Sequence, residues 1–183
     1  MTTPIRRKVH HFNIPGQTHE LTFSRYRRFP LLSRDRSRYR AIESIDAARM
    51  NRGFAVLAFV IMPEHVHVIV HSSDPIYDIA CILKSIKQPV SRKAHAWLLK
   101  NDQGWLEKLI LVRKDGQPVF RFWQAGGRYE RNIDRHTTLR QMIEYLHNNP
   151  VRRGLVERPV DWRWSSASWY ERGEGILSLD RLP

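Results

Sequence analysis

Hydrophobic and polar positions recur along this chain in short blocks that assign most of its elements one at a time. In "HELTFSRYRR", Leu21 and Phe23 alternate with Thr22 and Ser24, the period-two signature of a half-buried strand. From Tyr39 to Asn51, residues Ile42, Ile45, Ala48 and Arg49 follow a helical rhythm, and Gly53 is placed to end it. "FAVLAFVIM", Phe54 to Met62, is apolar on both faces and reads as a central strand. Pro63-Glu64 then makes a short corner into a second strand, His65 to His71. There Val66, Val68 and Val70 point one way, and His65, His67 and Ile69 the other.

The next helix opens at "SDPIYD", where Asp74 suits a cap and Pro75 the first turn. Ile76, Ile79, Ala80, Leu83 and Ile86 form its apolar stripe, and Val90, Ala94, Trp97 and Leu98 stay in phase beyond Pro89. A proline there predicts a kink, or two helices in tandem. "LILVRKDGQPVFRFW" alternates around Asp115-Gly116, a hairpin signal. "QAGGRYERNI" reads as a loop, and a last helix runs from Thr137 to Asn149, stopped by Pro150. The order predicts an α+β fold, a ferredoxin-like antiparallel sheet with helices on one face, plus a C-terminal tail. The expected divisions are a basic lead-in at 1–17, a central domain at 18–153, and a Trp/Arg/Ser tail at 154–183.

Composition narrows the class. The length, 183 residues, suits one domain with a real core. A single cysteine, Cys81, excludes an intramolecular disulfide and fits a reducing compartment. No apolar signal segment follows the basic start, and the longest apolar run is too short to cross a bilayer. The expectation is a soluble, cytoplasmic, nucleoid-associated protein with no membrane partner.

Charge points to the partner. The formal net charge is +13, carried mostly by arginine, and twelve Lys/Arg stand against four Asp/Glu through residue 52. Arginine suits bidentate contact with phosphate, so charge favours nucleic acid as the ligand over an anionic membrane surface or a ribosome-like or merely basic soluble protein.

Candidate chemistry comes from two places. His65 and His67 project side by side from one strand face, as metal ligands do, although hydrogen-bonded half-core histidines look the same in sequence. On the last helix Leu139, Met142, Ile143 and Leu146 form the buried stripe, with Tyr145 and Asn149 one turn apart along its edge. Alone, Tyr145 reads as a boundary tyrosine and Asn149 as a helix-end residue.

Together these pieces resemble a family. "MPEHVHVIV" looks like the HUH motif (histidine, hydrophobic residue, histidine) of single-tyrosine transposases and nucleases, and "YLHNNPVRRGLV" is similar to their tyrosine helix. "FRFWQAGGRYERNI" and "WRWSSASWY" resemble segments of the REP-associated tyrosine transposase branch. The resemblance runs from about His19 to Tyr170 and implies the HUH nuclease fold.

It also implies roles. Tyr145 is the expected nucleophile, and His65, His67 and Asn149 the ligands of a divalent metal, Mg²⁺ or Mn²⁺. The substrate is single-stranded or hairpin DNA, cleaved through a 5′-phosphotyrosine link and rejoined. Arg128, Arg131, Arg152, Arg153, Trp162, Arg163, Trp164, Lys84 and Lys87 are the expected DNA contacts, by charge and by stacking. For Trp164, docking the tail onto the body is an equal reading. The branch implies a monomer with no obligate protein partner. The competing function is a catalytically silent basic module that regulates by binding nucleic acid; a third is a metal hydrolase with no covalent step.

Overall fold

The computed structural model describes Ile14, residues 16–133 and residues 136–181, with the backbone alone for 126–131 and His136. The first strand is β1, Thr18–Arg25, and the first helix α1, Asp35–Arg52. Gly53 closes α1 in the left-handed conformation, φ 65°, with its amide on Arg49 O, a geometry that needs no Cβ. The hairpin strands follow as β2, Ala55–Ile61, and β3, His65–His71, and then α2, Ile79–Asn101. After them come α3 (Gln103–Lys108), β4 (Ile110–Val112), β5 (Pro118–Phe120), β6 (Trp123–Ile133), α4 (His136–His147), α5 (Asn149–Arg152) and α6 (Ala167–Arg172).

Four strands form one antiparallel sheet in the order β2-β3-β1-β6. That is the ferredoxin-like order, with α3 and the β4–β5 hairpin inserted before the last strand. Helices α1 and α2 bury one face: Leu21, Phe23, Val66, Val68 and Val70 pack there with Ile42, Ile45, Ile82, Leu83 and Ile86. The opposite face carries the histidines. Helix α4 covers part of it, placing Leu139, Met142, Ile143 and Leu146 against Ala58, Val60, Ile69 and Ile133.

Four local expectations need correction. Asp74 does not cap α2; its carboxylate accepts from Ile76 N at 2.8 Å in a turn, and Asp78 caps instead through Ala80 N, also at 2.8 Å. Either aspartate suits a cap, and the later one wins because the turn holds the earlier. Pro89 does not split the segment into two helices in tandem: α2 runs through it as one helix. Carbonyls in the turn before it, those of Ile86 and Lys87, accept from Ser44 Oγ at 2.6 Å and Trp123 Nε1 at 2.8 Å.

The segment "QAGGRYERNI" is not a loop but most of β6, paired along β1. Pro150 does not end the helical region; it sits in the first turn of α5, where its missing N–H costs nothing.

The C-terminal segment is part of the sheet's architecture. Strand β2 is an edge, and residues 162–180 occupy it. Ile61 N donates to Trp164 O at 2.8 Å, and Ser166 N to Phe59 O at 3.0 Å. Trp162 Nε1 donates to Ile61 O at 3.1 Å, Tyr170 Oη to Leu57 O at 2.9 Å, and Val56 N to Asp180 Oδ2 at 2.8 Å. Edge groups that would otherwise invite another strand are thereby satisfied within the chain. Among the described residues no helix is long and apolar enough to cross a membrane.

Candidate active site

Alternation along β3 places His65 and His67 on the face away from α1 and α2, beyond the end that α4 covers. Their ring centroids are 4.8 Å apart, with planes at 84°. Strand β1 lies alongside in register, Thr22 opposite His67 and Ser24 opposite His65. This pairing brings Thr22 and Glu20 to His67, while Glu64, in the β2–β3 corner, lies beside His65. Thr22 Oγ1 lies 2.7 Å and Glu20 Oε1 3.3 Å from His67 Nδ1, while Glu64 Oε1 lies 3.2 Å from His65 Nδ1.

A carboxylate can only accept, so Glu20 and Glu64 beside the two Nδ1 atoms favour the tautomer with hydrogen on Nδ1 and the lone pair on Nε2. Among the described residues neither Nε2 has a hydrogen-bond partner. Burial, and the neighbouring His67, push His65 down to about 4, against the opposing pull of Glu64. Its imidazole is therefore neutral at neutral pH, the form that binds metal.

Two imidazoles side by side, with Nε2 atoms that make no hydrogen bond among the described residues, fit a divalent cation. They do not make a complete protein cage, because no group of three His, Cys, Asp or Glu side chains fit to hold a metal occurs among the described residues. The remaining positions fall to other oxygens.

Tyr145 stands on α4, 52% exposed, with the Arg152 guanidinium 4.8 Å from its ring centroid. Asn149 turns its amide back on the helix, Nδ2 donating to Tyr145 O at 3.2 Å and Leu146 O at 3.3 Å, so Oδ1 is its uncommitted atom. Arg153 reaches the histidine strand: its Nη2 lies 2.8 Å from Glu64 Oε1. His147, two residues after Tyr145, is buried and bonded to Ser166 Oγ at 2.7 Å, and burial lowers it to about 4.

The structure thus groups His65, His67 and, through Glu64, Arg153. Tyr145, Asn149 and Arg152 form a second group on the same helical segment. Other expected contacts lie elsewhere. Lys84 and Lys87 belong to α2 on the opposite face, with Lys87 Nζ 5.6 Å from the Phe23 ring centroid. Trp164 is 5% exposed in the core; a ring so enclosed has no face left for a base. Trp162 packs partly buried between the two cores, and Arg163 bonds Tyr39 Oη beside the Trp164 ring. Arg128 and Arg131 pair in β6 opposite Phe23 and Glu20, and their side chains lie outside the described residues.

Glu64, Glu20 and Thr22 were absent from the sequence-based set. Glu64 has a sequence signal, its place next to the first histidine. The other two become visible only once β1 and β3 are in register.

The family profile described as IS200-like transposase matches residues 16–110, more than half the chain, and so takes in β1, both histidines and α2. The chain belongs to the IS200-like transposase family. The REP-associated tyrosine transposase of Escherichia coli K12 is 29% identical over 123 residues, 67% of this chain and 60% of that protein. A Haemophilus influenzae relative is 28% identical over 116 residues, 62% of this chain and 58% of its own length. This family member thus spans about three fifths of the curated relatives it matches.

A solved structure of a REP-associated tyrosine transposase bound to a REP hairpin superposes with a TM-score of 0.67 at 23% identity, covering 97% of this chain and 99% of that one. That likeness establishes the fold. The family and fold are those the HUH and tyrosine-helix motifs implied.

Proposed function

We propose that this protein cleaves and rejoins single-stranded DNA at hairpin elements, with Tyr145 as nucleophile. The observation that carries the reading is the pair of oriented imidazoles, His65 and His67, each with Nδ1 facing an acceptor and Nε2 left for a ligand. His65 and His67 would hold Mg²⁺ or Mn²⁺, with Asn149 Oδ1 as a further donor. When bound, the cation polarises a nonbridging phosphate oxygen and offsets charge building there.

The residues divide the remaining work. Tyr145 Oη attacks phosphorus and the bond to the 3′ oxygen breaks. The phenol gives up its proton, and the leaving oxygen takes one up to become a 3′-hydroxyl. A 5′-phosphotyrosine link keeps the bond energy, so a 3′-hydroxyl can attack it, release Tyr145 and join strands. Arg152, whose guanidinium lies 4.8 Å from the phenol ring centroid, would meet the phosphate next to the attack. Surface arginines supply sequence-independent attraction that weakens with salt. A hairpin substrate is favoured because the similar solved transposase is bound to one. The working unit in this reading is the monomer, and a native mass measurement tests it.

The deciding experiment incubates the protein with labelled hairpin DNA carrying a single-stranded flank, in Mn²⁺. A covalent protein–DNA adduct that survives denaturant is expected, and it disappears in Tyr145→Phe and with EDTA. Tight binding without adduct would instead identify a regulatory binding module. Cleavage that persists in Tyr145→Phe would identify a hydrolase.

A further inference from the structure

The β2–β3 corner is held from behind. Arg25 N donates to Glu64 O at 3.0 Å, the fully buried Arg25 guanidinium donates to Pro63 O, and Leu32 N donates to that same carbonyl at 3.2 Å. This fixes the point from which the Glu64 side chain departs. Its Oε1 then touches two groups, His65 Nδ1 at 3.2 Å and Arg153 Nη2 at 2.8 Å.

One carboxylate oxygen therefore joins a side chain of the histidine strand to the segment just after the tyrosine helix. Arg153 is carried stiffly there. Its amide bonds Asn149 O at 3.1 Å, and Gly154, at φ 64°, turns the chain immediately after it. Glu64 is 16% exposed at its side chain, so the contact is more sheltered than an ordinary surface pair, although Arg153 itself is open to solvent.

We propose that Glu64 and Arg153 form a latch that sets the α4–α5 segment, and with it Tyr145, relative to His65. Its consequence for catalysis rests on the cleavage reading above. Glu64 is a positioning residue: it orients an imidazole with the same atom that anchors the nucleophile's helix. Cutting the latch costs rate more than binding, since a small misplacement of a nucleophile slows attack without removing DNA contacts. The helix itself stays docked. Its apolar stripe remains buried, and His147 with Ser166 pins it to the β2 edge.

The test is a double-mutant cycle in the full chain, with Glu64→Gln, Arg153→Met and the pair together. Two quantities are measured: amide hydrogen exchange over 145–153 without DNA, and the single-turnover rate of adduct formation at saturating hairpin DNA with Mn²⁺. Each single change should raise exchange in 145–153 and slow adduct formation about tenfold, with the double variant no worse than either single. Exchange in α1 and α2 stays at the wild-type level, and Glu64→Gln keeps wild-type DNA affinity. Effects that multiply in the double variant, or exchange in 145–153 that none of the variants alters, would overturn the latch. Should the wild-type protein form no adduct, the cleavage reading fails, and the exchange arm alone decides the latch.

Discussion

The two faces of the central sheet use the same strands to opposite ends. On one, Val66, Val68 and Val70 from β3 meet Leu21 and Phe23 from β1 under two helices, and all are essentially excluded from water. On the other, the intervening residues of the same strands are His65, His67, Glu20 and Thr22, a polar network open at one end. Ile69, also fully buried, marks where that face passes back into core beneath α4. A strand pays for its ordering on the apolar side, which lets its other side carry partly desolvated imidazoles that would be unfavourable in a core. The face of a single strand, not a separate loop, separates apolar core from polar network here.

This contrast can be broken first on the apolar side. Phe59 is fully buried and faces α1 and α2 opposite Val68. Phe59→Ala should cost roughly 3–5 kcal/mol of stability, read by urea unfolding. A loss under about 1 kcal/mol would mean that the helix-covered face is not the stabilising one.

Acid probes the covered end of the histidine face next. Unfolded, the His147 imidazole takes a proton near 6.5; in the folded chain burial defers this to about 4. Within that window the unfolded state binds more protons, so stability falls as pH drops through it, by about 1.4 kcal/mol per pH unit for one group. His65, lowered to about 4 as well, adds to the slope. His147→Gln should therefore flatten the decline in unfolding free energy between pH 6.5 and 4.5 by about one proton's worth. An unchanged slope would show that the ring is not buried neutral.

The open end gives the smallest expected effect in energy. Thr22→Val combined with Glu20→Gln removes one acceptor at His67 Nδ1 and the charge of the other. Mn²⁺ affinity, by calorimetric titration, should drop on the order of 10- to 100-fold while the unfolding midpoint barely moves. Equal damage to stability would place these groups with the core, and would blur the division between the faces.

Much of this was readable in one dimension. The β2–β3 hairpin, α1 with its glycine stop, and the buried stripe of the tyrosine helix all follow from local periodicity and match the structure. The strand β6 was not legible, because Gly126 and Gly127 among charged residues resemble a loop, and only pairing with β1 makes them a strand. The tail was ambiguous for a similar reason. Whether Trp164 meets DNA or the core depends on an unfilled sheet edge more than a hundred residues earlier. Alternation put the two histidines on one strand face, and the resemblance to the HUH motif singled them out. Their acceptors were not legible, since Thr22 and His67 stand 45 residues apart and meet only through strand register.

The sequence by itself determined which residues share a face, where every helix and strand but α3, β6 and the short C-terminal helices falls, and a charge suited to a polyanion. These are properties of neighbouring residues, set by backbone sterics with periods of two and 3.6. Tertiary structure alone decided which acceptors orient the imidazoles, that Glu64 meets Arg153, and that the tail closes β2. Those contacts join distant segments, and their geometry comes from the packing of whole elements against one another, which no local pattern encodes.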